Sequence, residues 1–179
     1  MIEAACHCVA VRIRPARPHE AGALPAIERS AGALFASLPD LAWIAGHELT
    51  PAEFYGPLIV AGSVWVAESP DAGLVGFVAA ETVLGVLHVW ELAVHGAFQQ
   101  RGLGRRLMTA AVDHARALGL EAVTLTTFRD VAWNAPFYES LGFEIADERT
   151  LAHRLSDILR GEVVRGLPGE RRCAMRLSL

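Results

Sequence analysis

The chain has 179 residues, of which 53% are hydrophobic and 20% charged, and its formal net charge is −4. That length suits one domain whose core needs no disulfide or metal staple, and the apolar content excludes a disordered chain. All 16 of the Lys+Arg residues are arginine, which excludes a Schiff-base lysine, a pyridoxal-phosphate anchor and a Walker-type phosphate-binding lysine.

Met1–Arg17 has no basic segment ahead of an apolar stretch, so no signal peptide is expected, and the protein is expected to be cytoplasmic. Cys6, Cys8 and Cys173 form no C-x-x-C pair and read as reduced thiols, with no metal expected. Residues 9–14 (VAVRIR) alternate as a strand. Residues 18–38 carry Ala, Leu and Ile at helical spacing, with Pro25 bending or splitting the helix. Thr50-Pro51-Ala52-Glu53 resembles a helix start with Thr50 as cap.

Three strand-like runs follow at residues 63–68, 74–83 and 86–94, joined by Pro70–Gly73 and by a tight turn at Gly85. They predict an antiparallel meander. The apolar run Leu74–Leu87 contains Glu81 and Gly85 and is too short for a membrane span of about 20 residues. Residues 102–118 predict a helix with Leu103, Leu107, Ala111, Ala115 and Leu118 on one stripe and Gly119 as its stop. Residues 122–128 (AVTLTTF) read as a strand, so the strand–helix–strand unit predicts a right-handed parallel crossover. A short helix at 136–141, a strand at 143–146, a helix at 151–159 and a last strand at 173–177 complete an α/β domain. Residues 149–179 carry seven arginines against three acids. Without interleaved aromatics, and with an acidic remainder, this does not indicate a nucleic-acid partner.

The segment 88–106, HVWELAVHGAFQQRGLGRR, joins a strand to a helix through a turn that bears glycine and arginine. Such a turn offers free N–H groups and the positive end of a helix dipole to an anion. Gly102 and Gly104 let phosphate oxygens approach the backbone, and Arg101 and Arg105 add charge. A plain helix start with solvated arginines is the alternative. Gly102-Leu103-Gly104-Arg105-Arg106-Leu107 has two glycines of a dinucleotide fingerprint, but leucine stands at the third small position and the mid-chain context is wrong.

Gln99-Gln100-Arg101-Gly102-Leu103-Gly104 resembles the Q/R-x-x-G-x-G/A motif of the GCN5-related N-acetyltransferase superfamily, Leu92–His95 its fourth strand, and Ala135–Phe143 (APFYESLGF) its F-Y-x-x-L-G-F ending. The resemblance is specific over residues 86–146 and topological over 9–85. It implies a single domain over 1–179 with a cofactor-binding core at about 86–146. Its mixed, mostly antiparallel sheet has six or seven strands flanked by helices and splays between strands four and five. It further implies acetyl-CoA as co-substrate. Leu92, Ala93 and Val94 would pair with the pantetheine arm as a pseudo-strand, and amides from Gln100 through Arg101, Gly102, Leu103 and Gly104 to Arg105 would hold the pyrophosphate. Tyr138 would protonate the leaving thiolate.

Asn134 stands four residues before that tyrosine, where many members have an asparagine seven before; here Val131 takes that place. It reads either as a cofactor contact or as the cap of the helix led by Pro136. The fifth-strand glutamate of some relatives corresponds to Thr126. Glu91 is the better candidate base, because a carboxylate among Val89, Trp90 and Leu92 is costly to bury idle; an ordinary strand glutamate facing solvent is the alternative. His88 and His95 are weaker candidates. Trp43, Phe54, Tyr55 and Trp65 line an acceptor groove or belong to the core. The sequence thus leads to an acetyl-CoA-dependent N-acetyltransferase, monomer or homodimer, acting on a small-molecule or protein amine. A non-catalytic acyl-CoA-binding or regulatory domain of the same fold is the alternative.

Overall fold

The structure, a computed structural model, describes residues 11–147 and 152–179. Seven strands form one mixed sheet: β1 (Arg12–Pro15), β2 (Val64–Ser69), β3 (Gly73–Val83), β4 (Val86–Val94), β5 (Ala122–Phe128), β6 (Glu144–Ile145) and β7 (Arg172–Ser178), in the order β1-β2-β3-β4-β5-β7-β6. The helices are α1 (Leu24–Gly32), α2 (Ala52–Val60), α3 (Leu103–Ala117), α4 (Ala135–Glu139) and α5 (His153–Val164). Val64–Ala67, Val75–Ala80 and Ala122–Leu125 are buried without alternation. Strands covered on both faces read as continuous apolar runs, which is why these segments stand out in the sequence. The chain divides into two compact units, Met1–Ala79 with Glu91–Ala110, and Ala80–Trp90 with Ala111–Leu179.

In the first unit, β1 pairs antiparallel with β2 from Arg12↔Glu68 to Pro15↔Trp65, and β2 pairs antiparallel with β3 from Val64↔Ala79 to Ser69↔Gly73. Leu24 and Ile27 of α1 and Tyr55 and Ile59 of α2 pack with Val64, Val66, Phe77, Ala79 and Ala93. Each fully buried Leu, Val or Phe among them contributes roughly 1.5–3 kcal/mol. Pro25 does split the helical stretch: it occupies the first turn of α1, and 3-10 turns at Pro18–Ala23 and Ala33–Ser37 flank the helix. The expected Thr50 cap is corrected. Pro51 holds the cap position of α2 without a side-chain bond, and Thr50 gives its backbone N–H and its hydroxyl to Glu28 Oε1 at 3.2 and 3.4 Å. Residues 9 and 10 of the first predicted strand lie outside the described residues.

Gly76 is required by close approach. A Cβ there would stand 3.1 Å from the Ala93 carbonyl oxygen and 3.3 Å from Leu107 Cδ1.

In the second unit, β3 and β4 are joined by Leu84 and Gly85, at φ +48° and +78°. That pair of left-handed residues matches a two-residue hairpin turn. β4 then runs parallel to β5 from Val86↔Ala122 to Val89↔Leu125, as the crossover requires. β5 pairs antiparallel with β7 along its whole length, and β6 with β7 through Glu144↔Arg176 and Ile145↔Met175. Ala111, Val112 and Ala115 of α3 are buried, but Leu118 is 54% exposed. The predicted stripe therefore ends early: α3 stops at Ala117, and Leu118 lies in the turn before left-handed Gly119. Helix α5 starts at His153; Leu151, its predicted start, lies outside the described residues.

Candidate active site

One continuous segment of the first unit carries most of the predicted site. Glu91, Leu92 and Val94 are half-buried and Ala93 is buried. Beyond β4, His95 N–H donates to the Val75 carbonyl at 2.9 Å. Its Nδ1 accepts from Ala97 N–H at 3.3 Å, capping a 3-10 turn at Gly96–Phe98. His95 is thereby engaged with backbone. Gln99 Nε2 donates to the Val94 carbonyl at 3.0 Å and Gly96 N–H to Ser30 Oγ at 3.0 Å, tying both ends of the loop.

Gln100 and Gly102 are left-handed, at φ +59° and +75°, while Arg101 between them is not. Left-handed residues in a turn ahead of a helix are the kind from which anion-binding nests are built. A glutamine held left-handed costs about 1–3 kcal/mol and points to a functional constraint. Leu103 and Leu107, at 3% and 0% exposure, anchor the 15-residue α3 behind the turn. Gln100, Arg101, Gly102 and Arg105 are exposed and Gly104 half-buried. The Arg101 guanidinium stands 5.1 Å from the Phe98 ring centroid, whereas Arg106 donates to the Val11 carbonyl at 2.7 Å.

The same unit holds a polar group that sequence spacing does not announce. Buried Tyr55 donates its hydroxyl to Glu28 Oε2 at 2.8 Å. Burial first, and then the charge of Glu91, push that hydroxyl far above the ordinary tyrosine range. Glu28 and Thr50 were missed because 22 residues separate them. Of the aromatic candidates, Tyr55 and Trp65 are core, while Trp43 and Phe54 are 42% and 39% exposed.

In the second unit, Asn134 makes no side-chain cap bond to α4, so capping is the expected role that the structure contradicts. Instead Nδ2 donates to Thr127 Oγ1 at 2.9 Å, and Oδ1 is buried without a partner. Tyr138 is 9% exposed and meets Phe137 and Phe143 edge-on at 5.1 and 5.8 Å. Val131 is buried, with no polar atom to offer. His88 is a core histidine, 1% exposed, with Nδ1 3.0 Å from Thr124 Oγ1. Burial, then the charge of Arg154, holds its imidazole down to about 4, leaving it neutral at pH 7. Thr126 donates to Glu162 Oε1 at 2.6 Å, and Arg172 clamps both oxygens of that carboxylate at 2.8 Å.

A model of the acetyltransferase (GNAT) family matches residues 36–143, more than half of the chain. The chain belongs to this family. Acetyl-CoA is accordingly its co-substrate. The fold matches the PaiA N-acetyltransferase of Thermoplasma acidophilum, solved with coenzyme A, at TM-score 0.67 and 15% identity over 95% of this chain and 99% of that one. Ard1 from Thermoplasma volcanium matches at TM-score 0.66 and 19% identity, over 96% and 99%. N-acetylglutamate synthase from Neisseria gonorrhoeae, complexed with coenzyme A and N-acetyl-glutamate, matches at TM-score 0.65 and 21% identity over 95% of this chain and 35% of its own. Among the described residues, no group of three or more His, Cys, Asp or Glu is placed to hold a metal ion. No helix among them is long and apolar enough to cross a membrane.

Proposed function

We propose that this acetyltransferase moves an acetyl group from acetyl-CoA to an amine acceptor by direct attack in a ternary complex. The observation that carries the reading is the pair of left-handed residues, Gln100 and Gly102, ahead of α3, in a chain whose family uses a pyrophosphate-bearing co-substrate. The amides from Gln100 to Arg105 hold the pyrophosphate, with Arg101 and Arg105 adding charge from solvent. Leu92, Ala93 and Val94 hold the pantetheine arm by backbone pairing. The buried, unpartnered Oδ1 of Asn134 fits a cofactor N–H donor.

The co-substrate supplies an activated acetyl thioester. An alkyl ammonium of pKa about 10.4 is neutral in only about one molecule per 2,500 at pH 7, so its proton must be removed. Glu91 takes that proton, directly or through one water. An N–H near Leu92 steadies the developing oxyanion. Tyr138, its ring held between Phe137 and Phe143, gives its phenolic proton to the departing sulfur. No acyl-cysteine relay is assigned to Cys173, which is buried and whose thiol burial pushes up; Cys6 and Cys8 lie outside the described residues.

Thiol release from acetyl-CoA with a panel of amines tests the activity, and its absence with every amine would favour a non-catalytic binding domain. Glu91→Gln and Tyr138→Phe should each lower kcat by about 10²–10⁴-fold with acetyl-CoA affinity retained. Glu91→Gln should also flatten the acidic limb of the pH–rate profile. If both variants keep the wild-type kcat, the acid–base assignment is wrong.

A further inference from the structure

Two buried nitrogens of the second unit have no hydrogen-bond partner, His88 Nε2 and Arg154 Nε. They border one indole. The His88 ring meets Trp90 edge-on at 4.6 Å, and the Arg154 guanidinium stands 5.5 Å from the Trp90 centroid. Trp90 Nε1 and Arg154 Nη2 both donate to Glu81 Oε2, at 3.2 and 2.6 Å, which sets the indole and the guanidinium in register. An unsatisfied buried polar atom costs roughly 1–3 kcal/mol. Two of them around one ring therefore call for a third group that neither strand nor helix supplies.

The chemistry of the two atoms defines that group. Arg154 Nε carries a hydrogen under all conditions. With the Thr124 hydroxyl donating to His88 Nδ1, the single ring hydrogen of the neutral imidazole lies on Nε2, an assignment that the first test below checks. Both atoms are then donors, and two N–H donors match the two oxygens of a carboxylate. Access has a counterpart on β5. Thr126 is the first residue beyond the β4–β5 ladder and the one residue of that strand that is not buried. Glu162, which takes the Thr126 hydroxyl, is neutralised by Arg172, so it adds little repulsion toward an anion.

We propose that His88, Trp90 and Arg154 form a recognition site for a carboxylate on the acceptor, which makes the acceptor an amino acid-like molecule. This rests on the acetyl-transfer reading above only for the word acceptor; the carboxylate site stands or falls by itself. The first test titrates the ¹⁵N-histidine-labelled full chain with sodium acetate by NMR, with sodium chloride as the ionic-strength control. The His88 signal is identified by its loss in His88→Gln. Nε2 should be protonated and should shift saturably with acetate but not with chloride, and Arg154→Lys, which keeps the charge but lacks Nε–H, should need at least tenfold more acetate. An unprotonated Nε2, or no saturable shift, would overturn the proposal in favour of a buried water. The second test compares L-lysine with 1,5-diaminopentane as acceptors. Arg154→Lys should raise KM for L-lysine at least tenfold while kcat and the KM for the diamine hold. If both amines respond equally, the carboxylate site is wrong and acetyl transfer stands. If acetate binds as expected but no amine is acetylated, the site stands and the acetyl-transfer reading falls.

Discussion

Arginine serves opposite ends in two parts of this chain. Arg101 just before α3 and Arg105 in its first turn are exposed, beside the turn proposed above to hold an anion through its amides. In the second unit the guanidinium groups are absorbed by carboxylates: Arg154 by Glu81, Arg160 by Asp157, Arg171 by Asp130, and Arg172, 10% exposed, by Glu162 at 8%. Four arginines among residues 152–179 are thereby engaged within the unit, and Arg172–Glu162 ties β7 to α5. A charge in solvent is cheap to keep and screened in use. A buried charge is costly unless paired, so these pairs first of all fix geometry; Arg154 keeps one N–H, Nε, beyond its pair with Glu81.

The sharpest break of this contrast is Arg172→Ala. It leaves Glu162 buried without its partner and should cost about 3–5 kcal/mol in urea unfolding, whereas the paired replacement Arg172→Met with Glu162→Leu should recover most of that loss. Wild-type stability in Arg172→Ala would show that the pair is not structural. Next is Glu20, which takes both Arg14 amino groups, at 2.9 and 2.6 Å, and the Arg17 N–H at 2.7 Å. The Arg14 bonds, outweighing burial, lower its carboxyl from 4.5 to about 2. Its contribution is thus complete above about pH 4.5 and disappears as pH falls toward 2. Glu20→Gln should be less stable by about 1.5–3 kcal/mol at pH 7, the worth of hydrogen bonds to charged groups, and the gap should close in acid. A gap independent of pH would point to packing instead.

In the exposed turn the effects fall on binding rather than stability. Gly104→Val should weaken acetyl-CoA at least tenfold, about 1.4 kcal/mol, through a side chain where the pyrophosphate approaches, with the fold kept. Unchanged affinity by calorimetry in a folded variant would remove the turn from the site. Arg101→Ala should have the smallest effect, under tenfold, and it should vanish near 1 M salt, where the screening length is about 3 Å. A salt-independent loss would mean that Arg101 makes a desolvated contact.

Local pattern made the stretch from β4 to β5 legible. The strand β4, the glycine turn, the stripe through Leu103, Leu107, Ala111 and Ala115, and β5 are contiguous in sequence, and hydrophobic period and turn chemistry act over a few residues. The family motifs lie in that same stretch. Leu118 slipped because a stripe does not say where the last helical turn ends. Asn134 was left open because capping and ligand contact call for the same side chain; its bond to Thr127 takes the place of the cap.

The tertiary structure alone decided which distant residues share a polar cluster. Glu28 reaches Tyr55 and Thr50, Arg154 reaches Glu81, and Glu162 reaches Thr126 across 27, 22, 73 and 36 residues. Buried charge must find a partner wherever the topology brings one, and no local spacing encodes that choice. Composition and periodicity determined that this is an α/β domain with a glycine turn between β4 and α3; packing determined which carboxylates, hydroxyls and nitrogens face one another.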